Sequence, residues 1–249
     1  MGNDRQGACE RDTKYMKILI LNFLLLVSTF ALAGDFSQIE EKICHRLSYV
    51  IRDTHGDDSW FKLELKEMNN DTNKLTEVLG RIADREVRYR RVILQELRKQ
   101  GNKSALPICY KYLTDINCFH LAAWGILVHE GLTSNSVMKI SEGLQRFKDT
   151  QPTFNVFRNL MHYASKEKDE GVRRLVVNEG IVYITGTKED HTETLEKSLM
   201  RVDETYRLSK RRLGVLRSVR AVGLNKWNKE YVEKVIKELE AFPEEKLSE

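Results

Sequence analysis

Apolar residues recur every three or four positions along most of the chain, which is the spacing of one face of an α-helix. Ile39, Ile43, Leu47 and Val50 show this spacing, and they accompany the capping-box sequence Ser37-Gln38-Ile39-Glu40. Alternating apolar and polar positions are scarce, and only 3 prolines interrupt the 249 residues. The pattern predicts an all-α fold, a multi-helix bundle of about eight helices.

Besides this first helix, helical spacing covers residues 60–68, 72–101, 104–131, 134–147, 153–163, 189–222 and 228–242. Residues 119–128 are apolar on nearly every side, so we expect them at the centre of the core. Trp60, Trp124 and Phe154 stand at helical spacing and are predicted to be core residues.

One stretch of the chain fits two structures. Leu175-Val176-Val177 and Ile181-Val182-Tyr183-Ile184 are rich in β-branched residues, and Gly180 and Gly186 flank the second run. Such residues favour strands, but a short apolar run also occurs in buried helices. The predicted fold therefore contains at most one short β-hairpin, near 175–185, and a buried helix is the alternative there.

Residues 16–33 have the order of a secretory signal, with Lys17 first, then an apolar run, then Ala31-Leu32-Ala33. The run from Ile18 to Ala33 has 16 residues, whereas a membrane-spanning helix needs about 20. We predict cleavage after Ala33, and an uncleaved signal anchor is the alternative. The polar residues 1–15 form an N-terminal extension; Met16 would make a natural start, although a long polar region before the signal would also fit.

After cleavage, residues 34–249 are predicted to form a single secreted helical domain, located outside the cell with no stable membrane insertion. The alternative is two sub-bundles divided near 149–152. No internal repeat and no low-complexity linker separates parts of the chain. Asn70 and Asn102 begin N-glycosylation sequons, which fits a secreted glycoprotein.

The mature chain keeps Cys44, Cys109 and Cys118. An oxidising compartment favours disulfide formation, so one pair should close. One continuous helix would hold Cys109 and Cys118 about 13 Å apart, but a turn at 114–117 would let them pair. A disulfide from Cys44 to either of the others is the rival pairing.

Positive and negative charges nearly balance, with 41 Lys and Arg against 37 Asp and Glu. Their distribution is uneven, because eight basic residues and no acidic residue lie between 207 and 229. Five of them form what we call the basic strip: Lys210, Arg211, Arg212, Arg217 and Arg220. Such a strip can bind a sulfated glycan, an anionic lipid or a nucleic acid, and secretion disfavours nucleic acid. The alternative is a solvated helix face that the acid-rich residues 230–249 neutralise.

The sequence has no P-loop, no G-x-G-x-x-G, no G-x-S-x-G, no H-E-x-x-H and no EF-hand loop. His120 and His129 lie in the most apolar helix, and their separation brings them only loosely to one face. We therefore expect core or boundary histidines rather than a metal pair. An enzyme without a recognisable motif would need ionisable groups to converge, for example around these two histidines. We predict a protein that is not an enzyme and has no cofactor and no bound metal.

The signal segment Met16–Ala33, the spacing Cys109-x8-Cys118 and the basic C-terminal helices together resemble the secreted α-helical salivary proteins of blood-feeding insects such as mosquitoes. The resemblance implies a saliva component that modulates host haemostasis, immune cells or pathogen transmission. It would do so by binding an extracellular protein, the matrix or a sulfated glycan. The three cysteines depart from the even number that many such proteins have. The alternative function is a carrier of a small hydrophobic ligand in a helical cage.

Overall fold

The computed structural model describes residues 38–51, 59–187, 191–221, 224, 226–243 and 246–248. Within these ranges there are twelve α-helices and no strand. The predicted all-α fold is therefore confirmed, whereas the predicted number of about eight helices is too low. The signal segment and its predicted cleavage site after Ala33 lie outside the described residues.

The helices are α1 (38–51), α2 (Ser59–Glu67), α3 (Thr72–Arg85), α4 (Arg90–Gln100), α5 (Leu106–Tyr112), α6 (Phe119–His129), α7 (Ser134–Arg146), α8 (Gln151–Ala164), α9 (Glu170–Gly186), α10 (Thr192–Val202), α11 (Lys210–Arg220) and α12 (Lys226–Glu240). Short 3-10 turns cover Val87–Tyr89, Lys103–Ala105 and Glu204–Leu208.

The chain divides into two compact units, with the boundary after Arg85. The first unit contains α1 to α3, and the second contains α4 to α12. Residues 149–152, which the sequence offered as an alternative boundary, lie inside the second unit, where α7 and α8 pack against each other. The single domain over 34–249 stays a prediction.

Three long segments that were predicted as single helices are broken, at 86–89, 113–118 and 203–209. In the second break, the Asp115 side chain accepts a hydrogen bond from the backbone N–H of Asn117 at 3.0 Å. In the third, the Asp203 side chain accepts a hydrogen bond from the backbone N–H of Thr205 at 3.0 Å. The Ser209 side chain accepts one from the backbone N–H of Arg212, in the first turn of α11, also at 3.0 Å. Short polar side chains of this kind satisfy the first amides of a new helix, so they start one. These breaks, with the helix over 170–186, raise the count from about eight to twelve.

The ambiguous stretch near 175–185 is helical throughout, as part of α9. Asp169 caps this helix by accepting a hydrogen bond from the Val172 N–H at 3.1 Å. A Cβ atom on Gly180 would stand 2.8 Å from Leu199 Cδ2 of α10. The glycine therefore serves close packing between two helices rather than a turn, and the helical alternative is correct.

Helix α6 lies at the centre of the second unit, as predicted. It packs against α4, α5, α7 and α8, and Phe119, Ala122 and Ile126 are completely inaccessible to solvent. The predicted core residues Trp60 and Phe154 are buried, in the first and second unit respectively. The prediction for Trp124 is wrong, because 37% of this residue is exposed. None of the helices in the described ranges is both long and apolar enough to cross a membrane.

Candidate functional site

The basic strip does not form one continuous cationic surface, because Arg212 points into the protein. This residue is only 7% exposed, and its Nη2 lies 3.1 Å from Glu196 Oε2 on α10. Its Nη1 donates to the Arg207 carbonyl at 3.0 Å, and its Nη2 also donates to the Tyr231 hydroxyl at 3.2 Å. An external partner cannot reach Arg212 without breaking this network.

Two tyrosine hydroxyls complete the network around Glu196. Tyr231 and Tyr206 donate to this carboxylate at 2.9 and 3.2 Å. Burial, and then the Glu196 charge, raises the pKa of both tyrosines, so both remain protonated donors. Burial by itself lowers the pKa of Arg212, but Glu196 and Tyr231 raise it overall. The network is therefore a structural ion pair that joins α10, α11 and α12.

Carboxylates of α12 neutralise two further members of the strip. Arg217 pairs with Glu240 at 2.8 Å, and Arg220 pairs with Glu233 at 3.7 Å. The Arg211 side chain donates to Asn178 on α9, and Lys210 is exposed at the start of α11. This arrangement matches the alternative that the sequence left open, in which the acid-rich C-terminal part neutralises the strip.

A different cationic surface lies in the second unit, in a cleft of about 420 Å³ between α6, α8 and α10 that we call the cationic cleft. Six of its polar side chains are His120, Asn155, Arg158, Asn159, Ser198 and Arg201. Among the described residues, no carboxylate lines it. The cleft thus offers hydrogen-bond donors and positive charge without an internal counter-ion.

Helix α8 supplies one wall of the cleft because its polar residues share a face. Asn155, Arg158, Asn159 and His162 have the spacing i, i+3, i+4 and i+7, which places them on one face of a helix. The opposite side of α8 is apolar and buried, for example at Phe157. Core packing of that side therefore turns the polar row outward.

The two arginines of the cleft are unpaired within the described part of the chain. Arg158 and Arg201 are both exposed, and neither has a carboxylate oxygen within 4.0 Å among those residues. Arg158 only contacts the edge of the core, with its guanidinium carbon 5.7 Å from the centre of the Phe154 ring. Guanidinium groups hold oxyanions through several N–H donors at once, so this pair can bind an anion directly.

Trp124 lines the cleft from α6 and contacts an arginine outside the lining, Arg98. The guanidinium carbon of Arg98, on α4, lies 3.8 Å from the centre of the Trp124 ring. Contact between a cation and an aromatic face is attractive, which fixes both side chains. Trp124 therefore has an ordered contact on one face of its ring although 37% of the residue is exposed.

The two histidines of the cleft have different surroundings. Burial, followed by the charges of Arg91 and Arg98, lowers the pKa of His120, and its buried Nδ1 has no hydrogen-bond partner. His162 Nε2 lies 3.0 Å from Lys166 Nζ. Because an ammonium group only donates, this ring nitrogen of His162 is an acceptor. His120 and His129, around which an enzyme without a motif could have gathered its ionisable groups, do not share the cleft, because buried His129 does not line it.

Sequence reasoning missed the cleft because Arg158 and Arg201 stand outside any dense basic run. The row Asn155-x2-Arg158-Asn159-x2-His162 was the available signal. It indicates a polar helix face, but nothing in it identifies the helices that face it.

The cysteines and sequons that the sequence singled out lie away from the cleft's lining. Among the described residues no disulfide joins Cys109 to Cys118, although the turn that this pair requires is formed. That disulfide therefore stays a prediction. Asn70 is exposed before α3, whereas Asn102 is half-buried and accepts a hydrogen bond from the Ser104 N–H. Both glycosylation sites stay predictions.

The described ranges contain no cluster of three or more His, Cys, Asp and Glu side chains that could hold a metal ion. No family model, no curated protein and no solved structure matches the chain. The functional interpretation therefore depends on the residues of the cleft themselves.

Proposed function

We propose that the chain is a secreted, non-enzymatic effector that binds an anionic extracellular partner, a sulfated glycan, through the cationic cleft. The observation that carries the proposal is the pair Arg158 and Arg201, two exposed guanidinium groups in a concave site without a carboxylate. The signal-like segment 16–33 supports secretion. The resemblance to salivary effectors of blood-feeding insects suggests the setting in which such binding would act on a host.

The composition of the cleft favours a sulfated sugar over an apolar ligand. Asn155, Asn159 and Ser198 add neutral donors and acceptors beside the two arginines, and these suit the hydroxyl groups of a sugar. Its volume of about 420 Å³ is in the range of small-molecule sites. A carrier of a hydrophobic ligand would need a lining of apolar side chains instead.

The proposal is tested by heparin affinity and by direct titration with a sulfated oligosaccharide. The variant Arg158→Gln/Arg201→Gln should elute from heparin at lower salt and should bind the oligosaccharide at least about tenfold more weakly, because charged hydrogen bonds each contribute about 1.5–3 kcal/mol. The matched control is Arg217→Gln/Arg220→Gln, which removes the same charge from the basic strip. Since α12 already neutralises those two arginines, the control should elute close to the wild type.

A larger loss of affinity in the strip variant than in the cleft variant would contradict the proposed site. It would indicate that the basic strip is the binding site. Equal losses would indicate a response to net charge alone. Secretion is tested separately by the intact mass of protein from the culture medium, which should begin at Gly34.

A further inference from the structure

We propose that the cationic cleft accepts a single compact oxyanion, a sulfate ester, between Arg158, Arg201 and His120, and that His120 takes up a proton as the anion binds. The inference rests on the proposed function and adds the kind of group that is recognised and the condition under which it binds. It depends on three side chains from three helices that line one cleft.

The surroundings of His120 contain an excess of positive charge. The charges of Arg91 and Arg98, on α4, oppose its protonation, and Arg158, His162 and Arg201 of α8 and α10 line the same cleft. Helices α5 and α7 and the turn Lys103–Ala105 also pack on α6. Their charged residues are Lys103, Lys111, Lys139, Glu142 and Arg146, whereas the charges that lower the pKa of His120 are those of Arg91 and Arg98. Burial and the two α4 arginines therefore oppose a proton on His120 while the cleft is empty.

An anion in the cleft changes this balance. Burial and the two α4 arginines lower the pKa of His120, so the ring is neutral at pH 7 and carries no charge to attract the ligand. A sulfate oxygen within about 4–6 Å favours the protonated ring and raises its pKa again. Binding then takes up a proton, and by linkage the affinity rises as the pH falls.

Of the two histidines of the cleft, His120 is the one that fits this role. Nε2 of His162 already has a partner, Lys166 Nζ, at 3.0 Å. His120 has no such partner, and its Nδ1 is left without a hydrogen bond. Protonation of His120 therefore breaks no existing contact.

The experiment measures the dissociation constant of the full-length mature protein for a sulfated disaccharide at pH 7.5 and 5.5, at one ionic strength and in cationic buffers that do not compete for the site. The sulfate esters do not titrate in this interval, so any pH dependence of the dissociation constant arises from groups of the protein. We expect binding to be severalfold tighter at pH 5.5, with about tenfold as the upper limit for each unit by which the pKa of this one group shifts. The unsulfated disaccharide should not bind measurably at either pH.

His120→Gln should bind with the same affinity at both pH values, whereas the matched control His162→Gln should keep the wild-type dependence. If His120→Gln does not fold, the His120 ring resonance of the wild type is titrated by NMR with and without disaccharide, and its pKa should rise on binding. Binding that is equal at both pH values, or a dependence that survives His120→Gln, overturns the inference and leaves the proposed function intact. Absence of binding at both pH values overturns the proposed function as well.

Discussion

Arg212 and Glu196 form an ion pair in the interior of the second unit, with 3.1 Å between Nη2 and Oε2. The side chain of Glu196 is completely inaccessible, and that of Arg212 is 9% exposed. Removing two charges from water is costly unless each is matched and hydrogen-bonded. Tyr206, Tyr231 and the Arg207 carbonyl provide the additional bonds, so the pair is satisfied as a unit.

Removing one partner of this pair should destabilise the protein strongly. Arg212→Met leaves the Glu196 carboxylate buried without its cation, and we expect the free energy of unfolding to fall by about 3–5 kcal/mol. The double variant Arg212→Met/Glu196→Met should recover most of the loss, because no buried charge remains. Urea denaturation followed by circular dichroism measures both values.

The control for this prediction is Arg217→Met, which removes an exposed pair with Glu240. Exposed pairs contribute at most about 1 kcal/mol. A loss in Arg212→Met no larger than in the control would show that the buried pair adds no more than a surface contact.

Gly143 is required by the packing of α7 against α6. A Cβ atom at this position would lie 2.2 Å from Cε2 of the Phe119 ring, and the ring is completely buried. Gly143→Ala should therefore lower the free energy of unfolding by about 1–3 kcal/mol, as overpacked cores do. At Gly214, on the exposed side of α11, a Cβ would meet no atom within 4 Å.

Gly214→Ala serves as the matched control, since alanine in an exposed helix interior is favoured over glycine by about 0.5–1 kcal/mol. Thermal unfolding should move in opposite directions for the two variants. Equal effects at both positions would contradict the close approach of Phe119 to α7.

His129 should make the protein less stable in mild acid. Burial lowers the pKa of this histidine in the folded state, so below pH 6.5 the unfolded chain binds a proton that the folded chain resists. The free energy of unfolding is then highest above the pKa that the group has in the unfolded chain. It falls as the pH drops, by at most about 1.4 kcal/mol per pH unit for this group. Urea denaturation at pH 7.5, 6.5 and 5.5 measures the slope.

His129→Leu should reduce that slope, because the substitution removes the titrating group. An unchanged slope in this variant would assign the acid sensitivity to other groups.

Cys109 and Cys118 should react slowly with alkylating reagents in the folded protein. Burial raises the pKa of Cys109 to about 12, and burial followed by Asp115 raises the pKa of Cys118 to about 12. Against an ordinary thiol with a pKa near 9, the reactive thiolate is reduced roughly a thousandfold. The Cys109 sulfur also fills the space beside Gly125, where a Cβ would lie 2.6 Å away.

Peptide mass analysis after iodoacetamide treatment at pH 8 distinguishes burial from a disulfide. Both cysteines should remain unlabelled in folded protein and become labelled in denaturant without reductant if they are thiols. If the predicted Cys109–Cys118 disulfide forms during secretion, labelling should require reductant as well. Rapid labelling of folded protein would contradict the burial of both side chains.

Much of the fold followed from local patterns. The periodicity of apolar residues indicates helices because a buried stripe must return every 3.6 residues, and α6 is central because its sequence is apolar on nearly every side. Helix ends were harder to predict, since Asp203 and Ser209 interrupt a periodic pattern without altering it much. Both side chains cap the backbone that follows, and capping competes with continuation of a helix.

The sequence by itself determined the helical class, the central position of α6, the burial of Trp60 and Phe154, and the presence of basic residues near the C-terminus. Only the tertiary structure decided which of those charges face solvent. It buried Arg212 against Glu196 and paired Arg217 with Glu240, and it assembled the cationic cleft from α6, α8 and α10. The reason is that periodicity identifies which side of a helix is buried, whereas the neighbour that side meets depends on packing between segments far apart in the chain.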